Sequence, residues 1–359
     1  VVFDRTYAIS RDDGRFEWSW ASLETVFAQR RNLVSPRFWR MLFDIVRFNQ
    51  FAPNLLNHED EIRPYVNGIN GNDSRGYHKS PAEETIGEYL AREGYSDAFR
   101  DDYLLPMTAV LWSGSPDKGL LEFPAVTVIR FLWDQGRLNT FTSRAVWKTF
   151  PLGAKSYIDA VMRGFPRNHL FLSTPVKSIT NDPITGKVIL HLPNGRTDTY
   201  DHVVLACQPN KALEIISESS TATERSILAS FPTATSTVIL HNDTSLLPIR
   251  RRAWSANNIL TTSSAPSPSL SHSKSRRSPI DSVTSTTNMN HVQSIPLPLF
   301  GNVLLSQNPS RLPAPDSIQG KYTYEHPVLT VEAVRAQKLL GRIQDTKGIS
   351  YCGAWTGGG

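Results

Sequence analysis

The segment Asp201-His202-Val203-Val204-Leu205-Ala206-Cys207 constrains this chain more than any other. Its apolar residues follow one another without the alternation of a half-exposed strand, the pattern of a strand buried on both faces of a parallel sheet. Parallel neighbours cannot be joined by a tight turn, so the sequence must supply a crossover and return to the same sheet. It does so near its end. Thr330 is placed to cap a helix carrying Val331, Val334, Leu339 and Ile343, and Gly348 leads into Ile349-Ser350-Tyr351-Cys352-Gly353. Strand 349–353 is therefore expected parallel to and near 202–206, in an α/β (mixed α+β) architecture.

Upstream of that strand, a helix through Tyr157, Ile158 and Val161 gives way to strand-like runs at 170–172, 176–180 and 187–192. The clusters 181–186 and 193–195 are turns, the second ending in the Asn-Gly pair of tight hairpins, so an antiparallel β-meander is expected. In the first part of the chain, Asp12-Asp13-Gly14 predicts a hairpin between 7–9 and 16–18. Ser35 and Pro36 start a helix over 36–50 with Phe38, Leu42, Ile45 and Val46 on one face. Thr85 and Glu88 form a capping-box pattern for a short helix carrying Ile86, Tyr89 and Leu90, ended by Gly94. The stretch 97–150 reads as mainly helical and aromatic, and 236–241 and 299–306 as strands. Between these strands, 261–282 is mostly Ser, Thr and Pro with Lys274, Arg276 and Arg277, which predicts a flexible insertion.

With 359 residues, 40% of them hydrophobic, the chain suits two domains with real cores. We expect 1–149 and 217–330 to form a substrate domain of helices and antiparallel sheet. Residues 150–216 and 331–359 would form an incomplete Rossmann-like domain holding the meander and the parallel pair. Thirty-eight Lys and Arg against 33 Asp and Glu give +5 without a long basic block, which gives nucleic acid no particular support as a partner. Cys207 and Cys352 lie far apart with no zinc-like spacing, which points to a reducing compartment and no metal. No apolar run reaches the roughly 18 residues of a membrane span, so a soluble protein is expected, with membrane-surface association compatible. The chain starts at Val1 and stops in Gly357-Gly358-Gly359, as a fragment would.

A short strand ending at Cys352-Gly353-Ala354 brings bare backbone to the carboxyl edge of a sheet, where dinucleotides bind in doubly wound folds. A glycine-rich tail without a ligand is the alternative. Other chemistry-bearing residues have plain readings beside the functional ones. His241 in an apolar strand suits a hydrogen-bonded core histidine better than a base. His326 before Pro327 fits a structural or a substrate-pocket role equally. Arg250-Arg251-Arg252 reads as a solvated turn, with anion binding the lesser reading. Trp18, Trp20, Trp39, Trp112 and Trp133 read chiefly as packing. Lys155 and Tyr157 are residue types of hydride-transfer enzymes without the spacing or coenzyme motif.

The order of elements and several phrases resemble the flavin-containing amine oxidase superfamily. The phrases are Phe27-Ala28-Gln29-Arg30-Arg31-Asn32-Leu33, Phe38-Trp39-Arg40-Met41-Leu42, Tyr103-Leu104-Leu105-Pro106-Met107, Leu240-His241-Asn242-Asp243, Ala253-Trp254-Ser255-Ala256-Asn257 and Glu325-His326-Pro327. Within it they are similar to a subgroup of FAD-binding oxidoreductases related to the flavin-like extension of plant cyclopropane fatty-acid synthases. The resemblance implies FAD as cofactor. It puts Val176 beside the adenine end, Ala206, Cys207 and Gln208 at the strand end next to the cofactor, and Gly353, Ala354 and Trp355 near the pyrophosphate and ribityl chain. His241, Trp254 and His326 would face a small-molecule or lipid-like substrate. Two departures stand out. Ala354 occupies a place where relatives often carry an acid, and no GxGxxG follows a strand, so the pyrophosphate lacks its usual helix N-terminus. The implied function is FAD-dependent oxidation by hydride transfer to flavin, with no catalytic base assigned. A non-catalytic remnant or a lipid- or partner-binding module is the alternative.

Overall fold

The chain enters through β1 (Val2–Asp4) and then folds back between β2 (Tyr7–Arg11) and β3 (Phe16–Ser19). Asp12, Asp13 and Gly14 make that turn with φ of 50°, 50° and 78°, the left-handed backbone that Asp tolerates and Gly adopts freely. At Gly14 a Cβ would also meet Ile249 Cδ1 at 2.8 Å, so the expected hairpin is built on a required glycine. The computed structural model describes residues 2–4, 6–57, 84–112, 121–138, 146–263, 280–328 and 330–357.

The chain divides into two discontinuous units, 1–157 with 236–324 and 158–235 with 325–359. The borders expected from the sequence lie at 149/150, 216/217 and 330/331. Further strands follow in chain order: β4 (Val146–Lys148), β5 (Ser178–Asn181), β6 (Val188–His191), β7 (Thr197–Tyr200), β8 (Val203–Leu205), β9 (Thr233–His241), β10 (Asn257–Ser263), β11 (Ile280–Asn288), β12 (Leu304–Gln307), β13 (Ile318–Pro327) and β14 (Ile349–Tyr351).

The first unit is organised on a seven-stranded mixed sheet in the order β13-β9-β12-β11-β10-β2-β3. β10 runs parallel to β2, with Ile259 opposite Ile9, and antiparallel to β11. Ser35 Oγ accepts the Phe38 N–H to start the helix Pro36–Phe51, whose buried stripe is Phe38, Met41, Ile45 and Phe48. Val46, one position past Ile45, is rotated about 100° and exposed, which corrects the expected face. The Thr85–Glu88 capping box closes in both directions, and Gly94 ends that helix at φ 67°. The expected helical stretch is interrupted: β4 pairs antiparallel with β1.

This core holds charges. A π-helical turn, Arg100–Leu104, buries Asp101 and Asp102. Asp102 Oδ1 accepts from Arg11 Nη1 at 2.9 Å, and both side chains are only 1% exposed. Arg37 reaches the other oxygen at 3.3 Å, and the Trp18 indole donates to the Asp102 carbonyl. Burial pushes the Asp101 carboxyl up against the opposing pull of the Arg100 ion pair.

The second unit is smaller. The meander forms as expected, with β5, β6 and β7 antiparallel and Gly186 and Gly195 in left-handed turns. β8 and β14 pair in parallel, with Ile349 opposite Val203 and Tyr351 opposite Leu205, as the sequence predicts. Around them pack the helices Pro209–Ile215, Ala222–Ala229 and Val331–Gln337. Their apolar faces make one cluster including Ile179, Val188, Leu228, Phe231, Ala336 and Trp355.

Four further expectations are corrected. Residues 170–172 are not a strand: Ser173 at φ 51° bends the chain, and Leu170, Phe171 and Leu172 are exposed. Residues 299–306 become strand only at Leu304, because the prolines around Leu297 set a short helix that Gly301 stops at φ 64°. The run 201–207 is not buried on both faces, since β8 and β14 form a two-stranded sheet that leaves Val204 open. The last helix tightens into a 3₁₀ turn after Gln337, so Ala333, Ala336, Leu340 and Ile343 face the core while Leu339 turns outward. The expected insertion at 261–282 lies mostly outside the described residues. Its two ends are strand, with Thr261 and Ile280 buried in β10 and β11.

Candidate functional site: a strand-end cradle

β8 and β14 end side by side because they run in the same direction. The Cys352 N–H donates to the Leu205 carbonyl at 3.1 Å, one step beyond the last strand pair, and the chains then part. One continues through Ala206, Cys207 and Gln208 into a helix begun by Pro209, and the other through Gly353 and Ala354 to Trp355. Trp355 ties the two exits together. It is 1% exposed, its indole N–H donates to the Cys207 carbonyl at 3.0 Å, and its ring meets Phe231 edge-on at 4.9 Å between centroids.

Gly353 makes this possible. Its φ is 150°, and a Cβ there would stand 2.9 Å from the Trp355 indole nitrogen. The indole therefore occupies the space a side chain would need, while the backbone at 352–354 stays exposed. Ala206 is exposed, and Cys207 and Gln208 are half-buried. Val176 packs against the same apolar cluster, just before β5. The structure thus brings Cys207, Gly353 and Trp355 into direct contact or near-contact, and sets the half-buried Val176 against the apolar cluster just before β5.

Gln208 carries the most informative atom. Its Nε2 donates to the Glu325 carbonyl at 3.1 Å, but its Oε1 is buried with no hydrogen-bond partner among the described residues. A buried acceptor of this kind is costly unless a donor reaches it. Burial pushes the Cys207 thiol up, with nearby Cys352 adding to the effect, which disfavours the thiolate.

Of the three residues expected on the substrate side, His241 and Trp254 belong to the first unit and His326 to the second. His241 is fully buried in β9; its Nε2 shares a hydrogen with Ser306 Oγ at 2.7 Å and its Nδ1 accepts from the Asp243 N–H at 3.1 Å. Burial lowers its pKa, and the bonding fits a neutral core imidazole. Trp254 lines a cavity of about 270 Å³ in the first unit together with Asp4, Thr6, Asn288 and His291, and its indole donates to the Pro248 carbonyl. His326 lies half-buried near the end of β13, in the second unit.

Sequence reasoning missed the pair that steadies β14 from inside. The Tyr351 hydroxyl donates to Glu224 Oε1 at 2.8 Å, while Glu224 Oε2 accepts from the Thr221 N–H and hydroxyl. The Thr221-x-x-Glu224 pattern announces the helix cap, but nothing local announces its tyrosine. Burial, followed by the neighbouring carboxylate, pushes the Tyr351 hydroxyl well up, so it remains a donor. Among the described residues no group of three or more His, Cys, Asp or Glu could hold a metal ion.

Exposed glycine backbone, small side chains at 206 and 354 and the buried acceptor of Gln208 fit the edge of a flavin nucleotide, whose hydroxyl and ring N–H groups are donors. A profile of the flavin-containing amine oxidoreductases matches residues 96–293, more than half of the chain. The chain belongs to this family. Members of the flavin amine oxidoreductase fold also match it in three dimensions. A CLA-producing fatty acid isomerase from P. acnes superposes with a TM-score of 0.54 at 14% identity, over 98% of this chain and 75% of the other. Cyclohexylamine oxidase from Brevibacterium oxydans gives 0.51 at 10%, over 99% and 76%. A cofactor-binding redesign of putrescine oxidase gives 0.55 at 10%, over 99% and 78%. No curated protein matches the chain by sequence. A flavin cofactor therefore follows from the family, and the fold is that of the flavin amine oxidases.

Proposed function

We propose that the chain is an FAD-dependent oxidoreductase of the amine-oxidase type, with the cofactor held at the strand-end cradle and a small-molecule or lipid-like substrate served by the first unit. The parallel pairing of β8 and β14 carries the reading, because it sets two strand carboxyl ends and two small-residue exits next to each other. When bound, the flavin would accept a hydride from the substrate. Ala206, Gly353 and Ala354 would let it approach through backbone and shape. Gln208 Oε1 would take a hydrogen bond from one of its donors, and Val176 would border its adenine end. Trp355, with no ring face open, would position Cys207 and Gly353 rather than touch the cofactor. Cys207, its thiolate disfavoured, would be a weak competing nucleophile.

The affinity should be low. Without a glycine-rich turn at a helix N-terminus, the pyrophosphate charge lacks its usual donors, and a loss of about 3 kcal/mol weakens binding roughly 100-fold. Titrating the chain with FAD and following flavin fluorescence should give saturable binding weaker than micromolar, lost on Gln208→Leu. Absence of any saturable binding would refute the cradle as a flavin site. A stoichiometric yellow complex surviving gel filtration would keep the cofactor assignment and overturn the affinity argument.

A further inference from the structure

We propose that an arginine-lined groove in the first unit docks this protein on anionic phospholipid surfaces. The groove, about 570 Å³, is lined by Arg30 and Arg31 on one side and Arg250, Arg251 and Arg252 on the other, with Ala28 and Gln29 at its base. Its two walls are fixed by a buried carboxylate. Glu17, fully buried, accepts from the Ile249 and Arg250 N–H groups at 2.7 and 3.2 Å and from the Arg250 guanidinium at 2.7 Å. Gln29, also buried, accepts from the Glu17 N–H, and Asn32 donates to the Glu17 carbonyl.

That arrangement neutralises one arginine of five. Arg252 faces Glu24 at 3.7 Å with both side chains exposed, where water screens the pair. Arg251 lies over the Trp254 ring. Arg30 and Arg31 have no ion-pair partner among the described residues and point their charge at solvent, so the groove as a whole is cationic.

What selects a lipid surface over a soluble anion is the apolar rim. Arg30–Val34 is a 3₁₀ turn, in which residues three apart fall on one face, so Leu33 shares a face with Arg30 and Val34 with Arg31. Val34 is 83% exposed and Leu33 about half. On the opposite wall Ile249, next to Arg250, is 67% exposed, and Leu23 is 81% exposed on the short helix beside Arg251–Ala253. Arginines for headgroup phosphates, interleaved with aliphatic side chains for the acyl boundary, match an interfacial anchor, and no helix among the described residues is long and apolar enough to cross a membrane.

The test is co-sedimentation of the full chain with phosphatidylcholine vesicles, with and without one-third phosphatidylserine. Binding should require the anionic lipid and fall as salt shortens the Debye length toward about 3 Å. Replacing Arg30 and Arg31 by alanine should lower partitioning about 25-fold, about fivefold per arginine, and R30K with R31K should restore most of it. Leu33→Ser with Val34→Ser should weaken vesicle binding several-fold while leaving the urea midpoint unchanged. No binding to anionic vesicles, or unaltered binding by the double alanine variant, would overturn the proposal. So would vesicle binding that ignores the serine variant and is competed away by single-stranded DNA, which would mark the groove as a site for soluble polyanions.

Discussion

The two units solve burial in opposite ways. The sheet of the first threads charge through its core, with Arg11 on Asp102, Glu17 under Arg250, and His241, Ser306 and Thr286 hydrogen-bonded in sequence. The second packs an almost wholly apolar cluster and, among the described residues, admits one buried carboxylate, Glu224, satisfied by Tyr351 and its own helix cap. A polar core gains little net energy from its pairs but fixes one arrangement, since any slip strands a charge. An apolar core tolerates repacking and relies on shape. In this chain the polar device stands under the arginine groove and the apolar one under the strand ends, so different substitutions should damage each.

The sharpest break in that contrast is Asp102→Ala, which takes from the buried Arg11 guanidinium its carboxylate partner at 2.9 Å. It should cost about 3–5 kcal/mol in urea unfolding, whereas replacing both partners by apolar residues of similar volume should cost far less. In the second unit the matching lesion is one of space. Gly353→Ala forces a side chain into φ 150° and against the Trp355 indole, and should cost about 1–3 kcal/mol, read as faster hydrogen exchange in β8 and β14 while β2 and β10 keep their protection. Glu224→Gln keeps the shape but weakens the acceptor, and about 1 kcal/mol should be lost. The smallest effect is a slope. His241 has a depressed pKa, so the unfolded chain takes up the proton first. Its contribution to stability is full above the ordinary histidine value near 6.5 and is lost as pH falls below it and through the lower folded value. His241→Gln should flatten stability against pH in that window, and an unchanged slope would mean the imidazole is solvated.

Periodic signals were legible in the sequence. The hairpin at Asp12-Asp13-Gly14, the caps at Ser35, Thr85 and Thr330, the meander and the β8/β14 pairing all follow from turn chemistry and apolar runs, and all appear. Local conformation at single residues was not. Ser173 and Gly301 redirect the chain through left-handed backbone that neighbouring apolar residues do not announce. The buried charges were invisible for another reason: Arg11, Glu17 and Asp102 look like surface residues until partners distant in sequence are brought to them. At the cradle the residue types could be placed, since small residues at a strand end advertise close approach. That Trp355 would turn inward as a strut, and that Gln208 would bury its side-chain oxygen, depends on three-dimensional neighbours alone.

The parallel register of β14 on β8 also bears on how the polypeptide matures. Val203 and Ile349 are separated in the chain by the whole Ser236–Tyr324 excursion, so the pair is a contact of very high order. Closing so long a loop adds little to the final free energy, because the entropic term grows only logarithmically, but it delays the event. During synthesis the first half of the second unit emerges early with Ile179, Leu205, Ile227 and Phe231 and must wait for Ala333, Ile349 and Trp355. Until residues 333–355 have left the ribosome, that half-core lacks its partners and is exposed apolar surface of the kind that makes folding intermediates prone to associate.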